Sequence, residues 1–321
     1  MTSKVDKYDK HLIYELDRNC RAPISTIAKK VGLPKETVNY RLKKLISSKY
    51  IKDFHTIINV SIFGYRYYKI SFKFHRMPLE KQREIVEYVK KINTCANITV
   101  KEGRYDLSFI AIHRTARGLY AFLQDLSNRY GRYIVEKNIH KIIRSYKMNQ
   151  KILYAGDKDK KIFEHAEGIP EEFTEIDKKI IKSLSHSARN KLIDLANQIK
   201  EDPRVVAYHI KKLEEKGVIV AYTAGLNFEK FELEFIEIEI NLKHHGLIPK
   251  IIDFFDETNT CIFAYEMIGT TDLSLQLYVQ SDEHMRKILS IFKERFGEDY
   301  NSYEVSRIYE TYQTNWSPFE E

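Results

Sequence analysis

Apolar and polar positions along this chain follow the spacing of helices and strands, and the whole pattern occurs twice. The stretch from Ala28 to Asp53 returns 168 residues later, from Ala196 to Ala221. Four apolar residues of the first copy stand at i, i+4, i+7 and i+8, namely Val38, Leu42, Leu45 and Ile46. This spacing predicts the buried face of one helix, preceded by a turn and a shorter helix. The chain is therefore interpreted as a duplication that contains two helix-turn-helix motifs.

Flanking segments complete the same module in both copies. A first helix is predicted from Lys7 to Asn19 and from Asp177 to His186. After each motif comes a β-prone run, from Tyr50 to Val60 and from Val218 to Asn227. Such runs fit the wing of a winged helix.

Turn and capping residues differ between the copies. Asp202 followed by Pro203 predicts the start of the second helix of the second motif, whereas Ser25 is predicted to cap the first helix of the first motif. Gly217 suits a left-handed helix end, but Lys49 holds that position in copy one. The junction at Lys49 is therefore predicted to be strained or differently built.

A second kind of module follows each winged helix. Its first strand alternates, with one face formed by Tyr68, Ile70, Phe72 and Phe74 and the other by Lys69, Ser71, Lys73 and His75. The pattern then continues in the order β-α-β-β-α-β, and residues 231–315 repeat it with a shift of 166. This order predicts a four-stranded antiparallel sheet with two helices on one face, the ferredoxin-like arrangement.

The predicted fold class is α+β, with two winged helix-turn-helix modules and two ferredoxin-like modules in tandem. The predicted boundaries are 1–65 and 66–155 for the first pair of modules, 156–173 for a linker, and 174–230 and 231–321 for the second pair. The linker is polar and contains two glycines and a proline. Its length leaves considerable freedom in how the halves dock.

Charge is distributed unevenly along the chain, although the net charge of all 321 residues is only +8. Residues 66–155 contain 19 Lys and Arg against 7 Asp and Glu, whereas residues 231–321 contain 7 against 18. The first winged-helix module carries 13 against 6, and the second, from 174 to 230, only 11 against 8. One ferredoxin-like module is therefore strongly basic and its counterpart strongly acidic.

The two ferredoxin-like modules carry the motif Gly-x-x-Asp at their central turn, as Gly103-Arg104-Tyr105-Asp106 and Gly269-Thr270-Thr271-Asp272. A winged helix followed by such a module resembles the Lrp/AsnC family, the feast/famine transcription regulators. The resemblance covers nearly the whole chain, twice. It implies DNA binding by the winged helix, and dimerisation and effector binding by the second module, known as RAM. Ordinary members are single units that dimerise, so the fused chain departs from the symmetric pattern.

The second helix of each motif presents a predicted DNA-reading face opposite Val38 and Leu42. Its positions are Lys35, Glu36, Asn39, Tyr40, Lys43 and Lys44 in copy one, and Arg204, Ala207, Tyr208, Lys211 and Lys212 in copy two. The lysines are candidates for phosphate contacts and the other residues for base edges. Since Glu36 suits cytosine N4 and Arg204 suits guanine O6 and N7, the two copies should read different half-sites. The alternative is that these faces are only solvated surface.

The resemblance also implies an effector site, such as one for an amino acid, near the central turns. The candidate residues are Gly103, Arg104 and Asp106 in copy one, and Gly269, Thr270 and Asp272 in copy two. The aspartates could hold an effector's ammonium group or could instead accept hydrogen bonds from turn N–H groups. Because Arg104 corresponds to Thr270, the two candidate pockets should not be equivalent.

Opposite charges predict that the two RAM-like modules pair with each other. The exposed strand faces offer Lys69 and Lys73 in the first module, and Glu237 and Glu239 in the second. The pairing could form within one chain or head to tail between chains. Ion pairs would select the partner, and burial of the aliphatic strand face would provide most of the stability.

No motif of catalysis, metal binding or cofactor binding is evident, so a non-enzymatic, cytoplasmic, oligomeric regulator is expected. Cys20, Cys95 and Cys261 form no metal-binding or disulfide pattern, and no apolar run is long enough to cross a membrane. Two alternatives stay open. One is a tetrapyrrole enzyme, because sirohaem decarboxylases resemble these regulators and pair two unlike subunits. The other is a metabolite- or partner-binding module without DNA binding.

Overall fold

The computed structural model describes residues 5–154, 163–312 and Phe319. The helices in this part of the chain are α1 (Lys7–Arg18), α2 (Ile24–Val31), α3 (Lys35–Ser47), α4 (Leu79–Lys90), α5 (Ala116–Tyr130), α6 (Glu175–His186), α7 (Leu192–Ile199), α8 (Pro203–Glu215), α9 (Ile248–Glu257) and α10 (Asp282–Phe296). The strands are β1 (Ile51–Ile58), β2 (Arg66–Phe74), β3 (Cys95–Glu102), β4 (Leu107–His113), β5 (Ile134–Lys147), β6 (Phe163–Ala166), β7 (Ile219–Leu226), β8 (Glu234–Leu242), β9 (Cys261–Ile268), β10 (Leu273–Val279) and β11 (Tyr300–Tyr312). The α+β class and the tandem order of modules are confirmed. None of the described helices is long and apolar enough to span a lipid bilayer.

The helix starts of the winged-helix modules are set by local capping. The Asp6 carboxylate accepts hydrogen bonds from the Tyr8 and Asp9 N–H groups, and the Asp9 side chain accepts one from the Asp6 N–H. In the second copy Thr174 and Asp177 form the same reciprocal pair at the start of α6. Each box satisfies backbone donors that would otherwise lack a partner within the helix. The two copies therefore begin their first helix in the same way.

Two details predicted from the pattern are wrong. Ser25 does not cap α2, because the helix begins directly after Pro23, which has no side chain that can accept a hydrogen bond. Ile46 is 42% exposed, whereas Val38 and the other apolar residues of that stripe are buried. Ile46 lies about 80° around the helix from Val38, at the margin of the apolar face.

At two helix ends the backbone is left-handed, and in each case one copy has glycine where the other has lysine. Lys49 has a φ of 57° and its counterpart Gly217 has a φ of 67°. Gly32 has a φ of 73°, and its counterpart Lys200 has a φ of 61°. Lysine in this conformation places its Cβ close to backbone oxygen, which glycine avoids. The predicted strain at Lys49 is confirmed, and Lys200 is a second such position.

The two winged-helix modules share a single antiparallel pair of strands, formed by β1 and β7. Each predicted wing is thus completed by the other copy. The contact is reciprocal, because Arg21 donates to the Ala188 carbonyl oxygen at 2.5 Å, while Arg189 donates to that of Cys20. The Cys20 N–H in turn bonds to Tyr222 O at 3.0 Å. Backbone and side-chain hydrogen bonds together hold the two DNA-reading modules as one unit.

The two RAM-like sheets close into a single eight-stranded barrel. Strands β5, β2, β4 and β3 form one sheet, and β11, β8, β10 and β9 form the other. The edge strand β3 pairs with β11, and the edge strand β5 pairs with β9, both antiparallel. Closure leaves no free edge in either four-stranded sheet. The short strand β6 adds to β5 outside this ring.

Four helices cover the outside of the barrel and form its two apolar cores. In the first module α4 and α5 pack on the sheet through residues such as Ile85, Leu126 and Phe109. In the second module α9 and α10 contribute Phe255 and Phe292. Because each sheet buries its apolar face under its own helices, the opposite face is left to line the barrel interior.

The predicted linker is partly ordered structure. Residues 156–162 lie outside the described residues, but β6 pairs with β5 between Arg144 and Lys147. The following backbone also contacts the first half, since the Glu171 N–H donates to Ile62 O at 2.9 Å. The segment from Phe163 onward is therefore docked on the first half, which the polar composition did not predict.

Substituting Lys49 by glycine should stabilise the protein by up to about 1 kcal/mol, because the left-handed backbone strain is relieved. The reciprocal change, Gly217→Ala, should destabilise it by a similar amount, since no atom lies within 4 Å of the added Cβ and only the backbone conformation is affected. Urea unfolding followed by circular dichroism measures both changes. Equal midpoints for wild type and Lys49→Gly would contradict the assignment of strain to this junction.

Candidate functional site

The predicted DNA-reading faces are open to solvent on α3 and α8. In copy one Lys35, Glu36, Tyr40, Lys43 and Lys44 are exposed and Asn39 is half-buried; in copy two Arg204, Ala207, Tyr208 and Lys211 are exposed and Lys212 is half-buried. Tyr40 is 70% exposed and Tyr208 is 65% exposed. The structure thus leaves both faces available for a partner.

Each DNA-reading helix is oriented by a side-chain contact with an acidic residue at the start of the first helix of its own module. Arg41 on α3 donates to Asp6 and Asp9 at 2.8 Å each. In copy two His209 takes the place of Arg41, and its Nδ1 lies 2.7 Å from Asp177. Burial alone would raise the pKa of the Asp177 carboxyl, but hydrogen bonds from His209 and Thr174 hold that pKa below its ordinary value. These contacts fix the tilt of the helix that carries the reading face.

The central turns of the RAM-like modules lie against the opposite module. Gly103 has a φ of 147°, and a Cβ there would stand 2.5 Å from Ser306 Oγ on β11. Gly269 has a φ of 153°, and a Cβ there would collide with the His140 ring on β5. Glycine is needed at both turns for backbone conformation and for close approach. The two turns are therefore part of the contact between the halves.

The two turn aspartates make structural hydrogen bonds. Asp106 Oδ2 accepts from the Phe74 N–H at 2.7 Å, and Asp272 Oδ2 accepts from the Leu242 N–H at 2.7 Å. Lys73 also donates to Asp106 Oδ1 at 2.8 Å. Of the two roles considered for these carboxylates, the geometry supports the satisfaction of backbone N–H groups.

Arg104 and Thr270 face different surroundings. Arg104 donates to Glu136 at 2.9 Å and to Glu304 at 2.8 Å, so it bridges the two modules. Thr270 Oγ1 accepts from Asn138 at 2.6 Å and lies 3.1 Å from His140 Nε2. The turns are unequal, and Arg104 and Thr270 each contact at least one side chain of the opposite module.

The barrel interior contains a buried ionic cluster. Lys69 Nζ lies 2.6 Å from Glu237, 2.8 Å from Glu239 and 2.9 Å from Ser274 Oγ. Lys101 Nζ lies 2.5 Å from the second oxygen of Glu237. All four charged side chains are 5% exposed or less. Every carboxylate in this cluster therefore has an ammonium partner from the other module.

Mutual attraction keeps these groups ionised despite burial. Burial alone would raise the pKa of the Glu237 carboxyl, but the Lys101 and Lys69 ammonium groups hold that pKa well below its ordinary range. Burial would likewise lower the pKa of Lys69, and Glu237 and Glu239 raise it instead. The cluster carries two positive and two negative charges and is electrically balanced.

The pairing differs from the sequence prediction at two residues. Lys73 does not reach the acidic strand, because its ammonium binds Asp106 in its own module and the Gly103 carbonyl oxygen. Lys101 takes the second place in the cluster. Its place between Val100 and Glu102 at the end of β3 gave no signal of this role, because the facing strand cannot be read from the sequence.

The two halves of the chain each match known helix-turn-helix domains. Residues 5–46 match the AsnC-type helix-turn-helix domain, and residues 173–220 match a winged helix-turn-helix DNA-binding domain. The uncharacterized HTH-type transcriptional regulator PH1916 of Pyrococcus horikoshii is 30% identical over 112 residues, which are 33% of this chain and 72% of that protein. The regulator YugG of Bacillus subtilis is 25% identical over 162 residues, 50% of this chain and 97% of that protein.

A solved structure matches the arrangement of the whole chain. The siroheme decarboxylase NirDL superposes with a TM-score of 0.64, covering 97% of this chain and 93% of its own. Sequence identity over this match is 13%. At that identity the likeness concerns the fold alone, in which two unlike winged-helix and sheet units form one body.

Replacing Glu237 by glutamine should destabilise the protein by about 3–5 kcal/mol, because Lys69 and Lys101 would remain buried with too little negative charge. Lys73→Gln is the matched control and should cost less than about 1 kcal/mol, since the Lys73 pair with Asp106 is partly exposed. Urea unfolding measures both. Similar losses for the two variants would contradict the assignment of the cluster to Lys69, Lys101, Glu237 and Glu239.

Stability should also rise with pH between about 4 and 6.5 through His140. Burial first, and then the Lys69 ammonium, lower the pKa of His140 to about 4 from an ordinary value of 6.5. In that window the unfolded chain binds a proton that the folded chain excludes, so the free energy of unfolding increases with pH. The gain is on the order of 3 kcal/mol across the window.

The measurement is a series of urea unfolding curves over that pH range, with His140→Asn and the control His244→Asn, an exposed histidine. His140→Asn should flatten the rise, whereas His244→Asn should keep it. Protonation of the carboxylates in the ionic cluster also lowers the free energy of unfolding in acid. Both variants retain these carboxylates, so this contribution is the same in each. Parallel curves for wild type and His140→Asn would count against this role of His140.

Proposed function

The chain belongs to the Lrp/AsnC family of transcription regulators, and from this premise we propose that it reads asymmetric DNA sites as a fused pair of unequal units. The observation that carries the proposal is the pair of exposed faces on α3 and α8, which occupy equivalent places in a single paired body. In ordinary symmetric dimers the two readers are identical. Here the scaffold is repeated but the reading residues differ.

The difference between the readers lies at the start of each helix. Glu36 is a carboxylate that accepts hydrogen bonds, whereas its counterpart Arg204 offers a bidentate donor. Tyr40 and Tyr208 are retained at matched positions and would make shared contacts with backbone or thymine methyl groups. The proposed target therefore contains two different half-sites, with the lysines Lys35, Lys43, Lys44, Lys211 and Lys212 contacting phosphates.

The ionic cluster supports pairing of unlike modules within one chain. In the equivalent strands β2 and β8, Lys69 pairs with Ile110 and Glu237 pairs with the matching Gln276, so Lys69 corresponds to Glu237. Ser71 then corresponds to Glu239, and Lys101 of β3 to Met267 of β9. A barrel of two first modules would therefore bury lysines without carboxylates, and one of two second modules would bury carboxylates without lysines. Both would carry uncompensated buried charges, each costing several kcal/mol. Only a barrel of two unlike modules balances the buried charges.

Regulation is proposed to act from the cytoplasm on the cell's own genes, by occupancy of DNA. A small effector would change the placement of the two DNA-reading helices relative to the barrel. The central turns, with Gly103 and Gly269, are the sites that the resemblance implies for an effector, but their polar side chains already form hydrogen bonds within or across the modules. Self-association of whole chains is a further proposal, tested by sedimentation at several concentrations.

A tetrapyrrole enzyme is the second candidate, and the whole-chain fold match with the siroheme decarboxylase NirDL favours it. The test is the absorption spectrum of purified protein mixed with iron-uroporphyrin, the class of compound in the related complex. A shifted visible band with stoichiometric binding and release of carbon dioxide from sirohaem would support the enzyme. Unchanged spectra, together with DNA binding, would support the regulator.

Binding to DNA fragments selected from the genome of the source organism should weaken steeply with salt, with a logarithmic slope of about −0.9 per phosphate contact. Glu36→Ala and Arg204→Ala should each relax base preference in a different half-site by about 1–3 kcal/mol, because each reader contacts only its own bases. Footprinting with sequence-randomised half-sites measures this. Lys250→Ala, on the outer helix α9, is the control and should leave both preferences intact.

Two results would contradict the proposal. Weak binding with a flat salt dependence would remove the electrostatic basis of a DNA reader. If Glu36→Ala and Arg204→Ala weakened the base preference at the same positions of the DNA, the two helices would not read separate half-sites.

A further inference from the structure

Each half of the chain has a groove beside the last strand of its RAM-like module. The first groove runs along β5, past the end of its pairing with β2, and over the 3₁₀ turn Val60–Phe63. The second runs along β11, past the end of its pairing with β8, and over the matching turn Phe228–Phe231. We call them the β5 groove and the β11 groove. The strand registers are the same in both sheets, so the two grooves occupy equivalent places.

The chain itself fills the β5 groove with residues 163–173. Strand β6 pairs with β5, and the Ala166 carbonyl oxygen accepts from Asn59 Nδ2 at 3.2 Å. The Gly168 N–H donates to Ser61 Oγ at 2.8 Å. All four residues of the underlying turn are buried, and a space of only about 10 Å³ remains beside the segment. The β5 groove is therefore a docking site for an extended segment of polypeptide.

Among the described residues, no strand covers the β11 groove. A space of about 230 Å³ lies along it, lined by residues such as Asn227, Phe228 and Tyr309. No residue of its turn is buried. The buried Asn227 Oδ1 atom has no hydrogen-bond partner in the described part of the chain, whereas the counterpart Asn59 holds the docked segment. Buried polar atoms are normally hydrogen-bonded, so the second half presents the same kind of surface with an unused polar group.

Three cations of the β5 groove bind the acidic segment. Glu164 lies 3.3 Å from Arg144. Glu167 forms ion pairs with Arg66 and with Lys141, the latter at 2.8 Å. The segment is therefore held by side-chain charge as well as by main-chain pairing.

Two of these three cations are replaced by carboxylates in the β11 groove. The counterparts of Arg144, Arg66 and Lys141 are, in the same order, Glu310, Glu234 and Arg307. The Arg307 guanidinium is already paired with Glu234 and Asp282. The matched positions thus carry a net negative charge. An acidic segment like that of the first half would be repelled here, and a basic one would be attracted.

We propose that the β11 groove binds an extended basic segment of a partner protein, which adds as a strand antiparallel to β11. Its main chain would pair with Glu310–Tyr312 as β6 pairs with β5, and its apolar side chains would cover the exposed turn. Lysine or arginine would stand at the two places that Glu164 and Glu167 hold in the first half. There the basic side chains would face carboxylates instead of cations. Main-chain pairing provides the affinity of such contacts, and the side chains provide their specificity.

The inference goes beyond DNA reading and does not depend on it. Because the β5 groove is already filled, each chain should bind one partner segment, on the side of the second half. A symmetric pair of units would bind two such segments or none. The partner would therefore be held on one side of the two unlike DNA readers.

The experiment uses the full-length protein and fluorescent peptides, with binding followed by fluorescence anisotropy. The basic probe is the sequence of residues 163–173 with Glu164→Lys and Glu167→Lys, and the acidic probe is the unchanged sequence. A scrambled peptide with the composition of the basic probe is the control. The basic probe should bind at one site per chain, at least about tenfold more tightly than either of the others, because two repulsive contacts become attractive.

A charge reversal on β11 should invert this preference. Glu310→Lys should weaken the basic probe about tenfold and strengthen the acidic probe, since it restores the charge that Arg144 provides in the first half. Asp253→Lys makes the same change at an exposed position of the outer helix α9 and should bind both probes like wild type. Hydrogen exchange followed by mass spectrometry should show slower exchange at residues 309–312 when the basic probe is bound.

Three results would each overturn the inference: equal affinity for the basic and scrambled peptides, equal losses in Glu310→Lys and Asp253→Lys, or unchanged exchange at residues 309–312. Self-association of the full-length chain that the basic probe reverses would assign the groove to a second copy, and this result would also overturn the assignment to a partner protein. DNA titrations of the same samples test the regulator separately.

Discussion

Closure of the barrel is the constraint on which the rest of this structure depends. Each RAM-like sheet has two edge strands, and both edges of one sheet pair with those of the other, β3 with β11 and β5 with β9. An open sheet of this kind would expose unpaired backbone groups along both edges. Closure also buries four charges in the interior. The edge hydrogen bonds are nonspecific, whereas the charge cluster of Lys69, Lys101, Glu237 and Glu239 is balanced between the two unlike sheets.

The duplication allowed positions that must agree in a symmetric dimer to take different roles. In a symmetric dimer a contact of one residue with a second residue of the partner occurs twice, with the roles exchanged, so a lysine and its carboxylate partner must both occur in each subunit. In the fused chain the lysines occupy one half and the carboxylates the other. The net charges of residues 66–155 and 231–321 are opposite in the same sense, and Glu36 and Arg204 also differ in sign.

Contacts between modules connect the DNA-reading end to the barrel. The β1–β7 pair and the reciprocal contacts of Arg21 and Arg189 join the winged helices to each other. The buried pair of Lys147 with Asp17 then joins them to the barrel. This arrangement gives the proposed effector a physical path to the DNA readers.

The sequence by itself determined the repeat, the order of elements, the buried stripe of Val38, Leu42 and Leu45, and the strain at Lys49. These features depend on local spacing and local backbone conformation, which neighbouring residues set. The reading faces on α3 and α8 also came from helical spacing, and their contacts with bases stay predictions.

Only the tertiary structure decided which strands and charges meet. It assigned Lys101 to the ionic cluster, directed Lys73 to Asp106, gave Asp106 and Asp272 backbone partners, and joined β1 to β7 across the two copies. Strand partners and buried ion pairs are chosen by groups far apart in the chain. Sequence periodicity shows which face of a strand is polar, but it does not show which residues that face will contact.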